Sequence, residues 1–386
     1  MSSSIHPATP DQRPTRRRRW AVRTGATIAV AGMLVPGIAA ADPPEAIPGG
    51  PYVTENQNVS ISSLTTYEDL TRELTGIANR NDDVEVESIG VSSEGRDIWL
   101  AKVGDPTKTP VMIINQQHGD EPHGAEASLD LIKKLSTGSG RAILDELYVL
   151  VVPRVNVDGA EIQEQIGTPE RGNTDYDAPR LRSSAGIYTT ELGDLELWSW
   201  DINRYHFATP AQSDLLNWND NPLSTNGYPA NPVPEAVAVL DTYFEYGPIW
   251  VVDVHNQGFH VVDPDPDDDP EFYRDGHRTT AGILWSLNDD VAPEAIEFSK
   301  QMAVAMKLDS LQYGHMEVTR YNSSSGDANI ARNAYALYGT ERLQDGEPGP
   351  LGGTLLVEID GQTEGNLNSL LGQKRVGMLK KNAINL

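Results

Sequence analysis

With 386 residues, 38% hydrophobic and 22% charged, the chain is long enough to bury a substantial core and too apolar for general disorder. Its formal charge of −26 argues against nucleic acid or an anionic membrane surface as a partner. The absence of cysteine excludes disulfides and thiolate metal sites, so any transition metal must be held by histidine and carboxylate.

The chain opens on an export-like layout. Arg16, Arg17, Arg18 and Arg19 precede Trp20, a small-residue and apolar stretch runs from Gly25 to Ala41, and Ala39-Ala40-Ala41 offers a cleavage site before Asp42. This predicts a signal peptide over 1–41, with a twin-arginine flavour at Arg17–Trp20, and a secreted or extracytoplasmic destination. The alternative is an uncleaved membrane anchor, against which Pro36 and several glycines make the stretch a poor spanning helix; no later segment is long and apolar enough to span a bilayer, so no stable membrane association is expected after signal removal. Six arginines and one aspartate there contribute +5, which leaves −31 on the remainder. Residues 42–60, rich in Pro, Gly and Asn, read as an exposed lead-in, and 61–386 as one domain with no internal linker or repeat; a monomer is expected.

From Tyr67 the pattern becomes periodic. Leu70, Leu74 and Ile77 suit one helical face, and Val84, Val86 and Ile89 alternate as a strand does. Val111–Ile114, Leu147–Val152, Ile249–Val254 and Thr354–Ile359 are short apolar runs, and helical spacing follows the first of them at Ala127, Leu131, Ile132 and Leu135. Apolar strands between helical stretches predict an α/β fold, a mixed and mostly parallel twisted sheet flanked by helices. The acidic run Asp263–Glu271, broken by three prolines, lacks the glycine and spacing of an EF-hand loop and reads as a solvated loop, with calcium binding as the alternative.

Histidine and carboxylate three apart, as in His118-Gly119-Asp120-Glu121, can turn toward one ion, but spacing does not single the pair out. About one such pair is expected by chance, and His123–Glu126 and His260–Asp263 also match. Position is more informative. His118 follows the run Val111–Ile114, His255 follows Ile249–Val254, and Glu358 ends Thr354–Val357; functional groups of open α/β sheets gather at the carboxyl ends of strands.

The ordered motifs resemble the zinc carboxypeptidases, the M14-type metallocarboxypeptidases, over most of residues 65–365. Ser93-Glu94-Gly95-Arg96 is similar to the family's S-x-E-G-R segment, His118-x-x-Glu121 to its first two zinc ligands, and Asn156-Val157-Asp158-Gly159 to its N-P-D-G turn with Val in place of Pro. Asp201-Ile202-Asn203-Arg204 resembles D-x-N-R, His255 falls where the third ligand stands, and Glu358 where the catalytic glutamate stands. The resemblance implies a zinc carboxypeptidase-like catalytic domain with one Zn2+ per chain on His118, Glu121 and His255. It implies a peptide or protein substrate cut at its C-terminal bond by a zinc-activated water, with Glu358 as general base and acid. Asp201 would orient a ligand imidazole, Asn203 and Arg204 would grip the terminal carboxylate, and Arg171 would stabilise the oxyanion, with Arg180 and Arg182 as rivals.

One departure stands out. The family carries a mobile tyrosine before the catalytic glutamate, and a gapless comparison past Ser325-Gly326 places Arg332 near it, with Tyr335 and Tyr338 three and six residues on. Either Tyr335 substitutes or Arg332 contacts an acidic substrate. Two other readings stay open. His118-Gly119-Asp120-Glu121 also resembles the H-G-N-E of aspartoacylase and succinylglutamate desuccinylase, which would make the chain a zinc amidase or deacylase. A non-catalytic binding module that kept the fold is the third.

Overall fold

The computed structural model describes residues 65–119, 121–161, 183–189, 195–207, 231, 233–258, 279–313, 316–344, 353–362, 380 and 383–384. All lie in Pro43–Leu386, one of the two units into which the chain divides. The expected signal peptide, the lead-in to residue 60, Arg171, Arg180, Arg182 and the acidic run 263–271 fall outside the described residues.

Helix α1 spans Tyr67–Ala78. Thr66 caps it by accepting from Asp69 N, and Leu70, Leu74 and Ile77 form its buried stripe. Strands β1 (Val84–Val91), β2 (Asp97–Val103) and β3 (Thr109–Asn115) follow, then α2 (His123–Ser136) and β4 (Leu147–Val152). A separate hairpin pairs β5 (Ser183–Thr189) with β6 (Leu195–Asp201). Helix α3 (Pro234–Tyr246) leads into β7 (Trp250–Gly258); β8 (Ala281–Trp285), α4 (Pro293–Ser310), β9 (Val318–Arg320), α5 (Ala331–Gln344) and β10 (Gly353–Gln362) complete the order.

Eight strands form one sheet in the order β1-β2-β4-β3-β7-β10-β8-β9. Its centre, β4-β3-β7-β10, is parallel throughout, and antiparallel pairs join it to β2 on one side and β8 on the other. The continuous apolar runs are explained by burial on both faces. In β4, Leu150 and Val152 pack with Met112 and Ile114 under α3 and α5, while Val149 and Val151 pack with Leu70, Leu74 and Ile132 of α1 and α2. Val357 and Ile359 of β10 face α4 in a third cluster.

Strand β7 continues to Gly258 and β10 to Gln362, past the ends of their apolar runs. The ladder persists while the side chains turn polar: His255, Asn256 and Gln257 on β7 pair with Glu358, Ile359 and Asp360 on β10. The polar ends of two adjacent strands, with the loop leaving β3 beside them, make the site.

Candidate metal centre and active site

His118 and Glu121 leave the carboxyl end of β3, His255 lies on β7 and Glu358 on β10; these three strands are consecutive in the sheet. Sheet order therefore joins residues that stand far apart in sequence, His118 and His255 by 137 positions. Glu358 and His255 are direct cross-strand partners on parallel strands, so both project from the same face.

His118 Nδ1 lies 2.8 Å from Glu121 Oε1, His255 Nδ1 lies 2.8 Å from Glu121 Oε2, and the two Nδ1 atoms are 3.3 Å apart. One ligand atom from each residue falls within 4.8 Å of the others. Tetrahedral zinc, with bonds of about 2.0–2.1 Å, sets its ligand atoms about 3.3 Å apart, which is the spacing of the two imidazoles. Burial opposes charge on the imidazoles, but carboxylates outweigh it. Glu121 and Asp201 raise His118 to about 10, Asp253 and Glu121 raise His255, and Glu121 itself is held low by both rings despite its burial. The pocket thus favours positive charge between these three side chains. An N/N/O donor set of this kind suits zinc, and these residues fit it.

Each imidazole is oriented from behind by a carboxylate. His118 Nε2 lies 3.1 Å from Asp201 Oδ1, and Asp201 is drawn down to about 2, His118 overcoming the effect of burial. His255 Nε2 lies 3.0 Å from Asp253 Oδ2. Asp253 stands two residues before His255 on β7 and so shares its face. Both contacts leave the Nδ1 lone pairs turned inward.

Asp253 was not anticipated, nor was the chain of bonds behind it. The Tyr335 hydroxyl donates to His206 Nδ1 at 2.8 Å and His206 Nε2 donates to Gln117 Oε1 at 2.6 Å. Gln117 Nε2 then donates to Asp253 Oδ1 at 2.8 Å. Burial pulls His206 down to about 4, which keeps it neutral and lets it donate on one side and accept on the other. An acid in the midst of the apolar run Ile249–Val254 was the available signal for Asp253. His206 and Gln117 carry no comparable signature.

Glu358 is 8% exposed, and its Oε2 has no partner among the described residues. Burial, reinforced by Glu121, pushes it up to about 8 against the opposing pull of His255. Asp201-Ile202-Asn203-Arg204 forms a 3-10 turn at the end of β6, capped by Asp201 accepting from Asn203 N. Asn203 is buried: its Oδ1 accepts from Ala331 N at 3.1 Å and its Nδ2 lies 3.3 Å from His255 Nε2. Arg204 is partly exposed, with Nη1 donating to its neighbour's carbonyl.

Ser93–Arg96 and Asn156–Gly159 turn out to bind each other. Asp158 accepts from Ser92 Oγ, Glu94 N and Arg96 Nη1, so these motifs build the floor beneath the His118 loop.

Tyr335 cannot take the role expected of a substrate-facing tyrosine. It is fully buried, packed on Tyr243 and Tyr338, with its hydroxyl spent on His206. The phenol near the site is Tyr321, just after β9 and on the other side of Ser325-Gly326. Beyond its burial, the charges that act on it are Glu358, His255, Arg332 and Glu121. Arg332, in the first turn of α5, is buried near Arg204, Asp253 and Glu358.

A comparison with protein families matches zinc carboxypeptidase (Peptidase_M14) over residues 70–326. No curated protein matches the sequence. Among solved structures, the chain is similar to one described as bovine thrombin-activatable fibrinolysis inhibitor in complex with tick carboxypeptidase inhibitor. The TM-score is 0.56 at 14% identity, over 83% of this chain and 94% of the other. Carboxypeptidase A from Helicoverpa armigera gives 0.55 at 16%, covering 83% and 74%. Thrombin activatable fibrinolysis inhibitor alone gives 0.53 at 14%, covering 83% and 73%. At such identities these likenesses establish the fold, while the family match spans two thirds of the chain and includes the three-donor centre. The chain therefore belongs to the zinc carboxypeptidase family and is a zinc metallopeptidase.

Proposed function

We propose that the protein is an exported metallocarboxypeptidase that removes C-terminal residues from peptides, acting as a monomer without stable membrane attachment. The observation that carries this reading is the placement of buried Glu358, its Oε2 without a partner among the described residues, directly across from His255 and beside a three-donor cation centre. His118, Glu121 and His255 would hold one zinc, which when bound supplies Lewis acidity toward a carbonyl and makes water more acidic.

The remaining roles belong to the chain's own groups. A carboxyl raised toward neutrality by burial can take a proton from water and return it to a leaving amine, and Glu358 has that character. Asp201 and Asp253 hold the two imidazoles so that Nδ1 faces inward. Arg204, on a turn braced by Asn203 and Asn329, offers a forked guanidinium to the substrate's terminal carboxylate. Arg171 is assigned the oxyanion on the family resemblance alone. Export rests on the arginine block and the Ala39-Ala40-Ala41 site.

A panel of blocked dipeptides and N-acyl amino acids, assayed on zinc-loaded protein, tests the reading. Release of the C-terminal residue from peptides, abolished by His118→Ala together with zinc loss, is the expected result. Activity on N-acyl amino acids alone would replace it with the deacylase reading, and absence of bound metal would end both. N-terminal sequencing of protein recovered outside the cell should begin at Asp42.

A further inference from the structure

One buried guanidinium beside the site, that of Arg332, has no carboxylate partner among the described residues. Arg332 is 4% exposed. Its side chain makes one hydrogen bond among the described residues, from Nη2 to Ser325 O at 2.7 Å, and its Nε has no partner there. No carboxylate of the described residues forms an ion pair with it, although a guanidinium has five donors to satisfy and a buried charge without a counterion is strongly unfavourable.

Its position is fixed on three sides. Ala331 N donates to Asn203 Oδ1, Asn329 Nδ2 donates to Arg204 O at 2.7 Å, and Thr354 Oγ1, four residues before Glu358 on β10, donates to Arg332 O at 2.5 Å. The first turn of α5 is thereby bolted between the Asp201–Arg204 turn and the Glu358 strand. Arg204 is the strongest charge acting on Arg332, ahead of Asp253, Tyr321 and Glu358. The nearby carboxylates are committed: Asp253 to His255 and Gln117, and Glu358 to proton transfer. Arg204 has the Asp201 carboxylate 4.0 Å away, whereas Arg332 has no carboxylate partner among the described residues, so Arg332 is the guanidinium that calls for an anion beyond the terminal carboxylate.

We propose that Arg332 makes this enzyme selective for peptides ending in glutamate or aspartate, pairing with the side-chain carboxylate while Arg204 holds the terminal one. The inference rests on the carboxypeptidase reading and names its substrate class. A chain of net charge −26 repels acidic peptides at long range, so the preference must come from this local pair.

The test compares kcat/KM on blocked dipeptides that differ only in the last residue, with the near-isosteric pair Glu and Gln at its centre. The wild type should favour Glu over Gln by roughly ten- to a hundredfold, the range of one desolvated charge-assisted contact. Arg332→Gln should bring that ratio close to one, and Arg332→Lys should restore part of it. Calorimetry on metal-free wild type gives a second reading that needs no variant: N-acetylglutamate should bind at least tenfold more tightly than N-acetylglutamine. A wild type that cleaves Gln- or Phe-terminated peptides as well as Glu-terminated ones, or equal affinity for the two acetyl amino acids, overturns the selectivity and leaves the carboxypeptidase intact. Failure to release a C-terminal residue from any peptide overturns both.

Discussion

Gly119 lies between two of the metal donors, and replacing it with alanine probes how rigidly the centre is held. A Cβ at this position would overlap the carbonyl group of Gly159 and come within 2.7 Å of Ala160 N, against ordinary contact from 3.4 Å, so something must move by at least 0.7 Å. The opposing atoms are main chain and cannot swing aside. Their turn is pinned by Gly159 N on Asn156 Oδ1 at 2.7 Å, and by Val155 N and Asn156 N on the carbonyls of Asn115 and Gln116. The strain therefore falls on the loop carrying His118 and Glu121. Overpacking of this kind costs ~1–3 kcal/mol, and in a domain this large each kcal/mol lowers Tm by about 2 °C. Displacing a ligand loop should weaken zinc binding by roughly 10–100-fold, as loss of an orienting contact does. Chelator competition reads the affinity and thermal melts read the stability. Gly95→Ala is the control: at φ +85° it should lose stability through backbone strain, but with nothing within 4 Å of the new Cβ it should bind zinc normally. Zinc affinity within twofold of wild type and an unchanged Tm for Gly119→Ala would refute the argument.

Four further outcomes follow from the geometry. Asp253→Asn leaves one amide oxygen to serve both His255 and Gln117, and should weaken zinc binding about 10–100-fold; an unaltered competition titration would show that His255 is oriented by other means. Glu358→Gln should retain zinc, measured by elemental analysis, while kcat on peptides falls by about 10²–10⁴. In the metal-free chain the Glu358 carboxyl, pushed up to about 8 from 4.5, binds its proton more tightly folded than unfolded. Metal-free stability should therefore decline as pH rises from about 4.5 to about 8, and chemical denaturation of metal-free Glu358→Gln should show a shallower decline. Tyr335→Phe removes the donor to His206 in a fully buried cluster and should cost about 1–3 kcal/mol in urea titrations; no loss would mean that His206 Nδ1 finds another donor.

The alternation and helical spacing around residues 67–152 were legible because burial imposes them locally: a stripe at Leu70, Leu74 and Ile77, and a strand buried on both faces at Leu147–Val152. The metal donors were legible only as an ordered set, since the His118–Glu121 spacing recurs elsewhere in the chain. The apolar run before His255 ends at Val254, where the side chains turn polar, although the backbone ladder runs on to Gly258. Hydropathy follows what the side chains face, and these face the site.

What the sequence determined alone is the inventory: an α/β chain without thiols, with histidine and carboxylate as the only metal donors, in an order that resembles one enzyme family. What only the tertiary structure decided is adjacency. Placing β3, β7 and β10 side by side brings residues 118, 255 and 358 to one edge, and the alternate-residue geometry of β7 puts Asp253 behind His255. It also separates two candidates that sequence distance could not: Tyr335 is sealed in an aromatic core, whereas Arg332, three residues away on the same helix, lies among the charges of the site. On a helix, three residues are nearly a full turn, so only the packing of α5 against the Asp201–Arg204 turn and β10 decides which side chain meets the core and which meets the charges of the site.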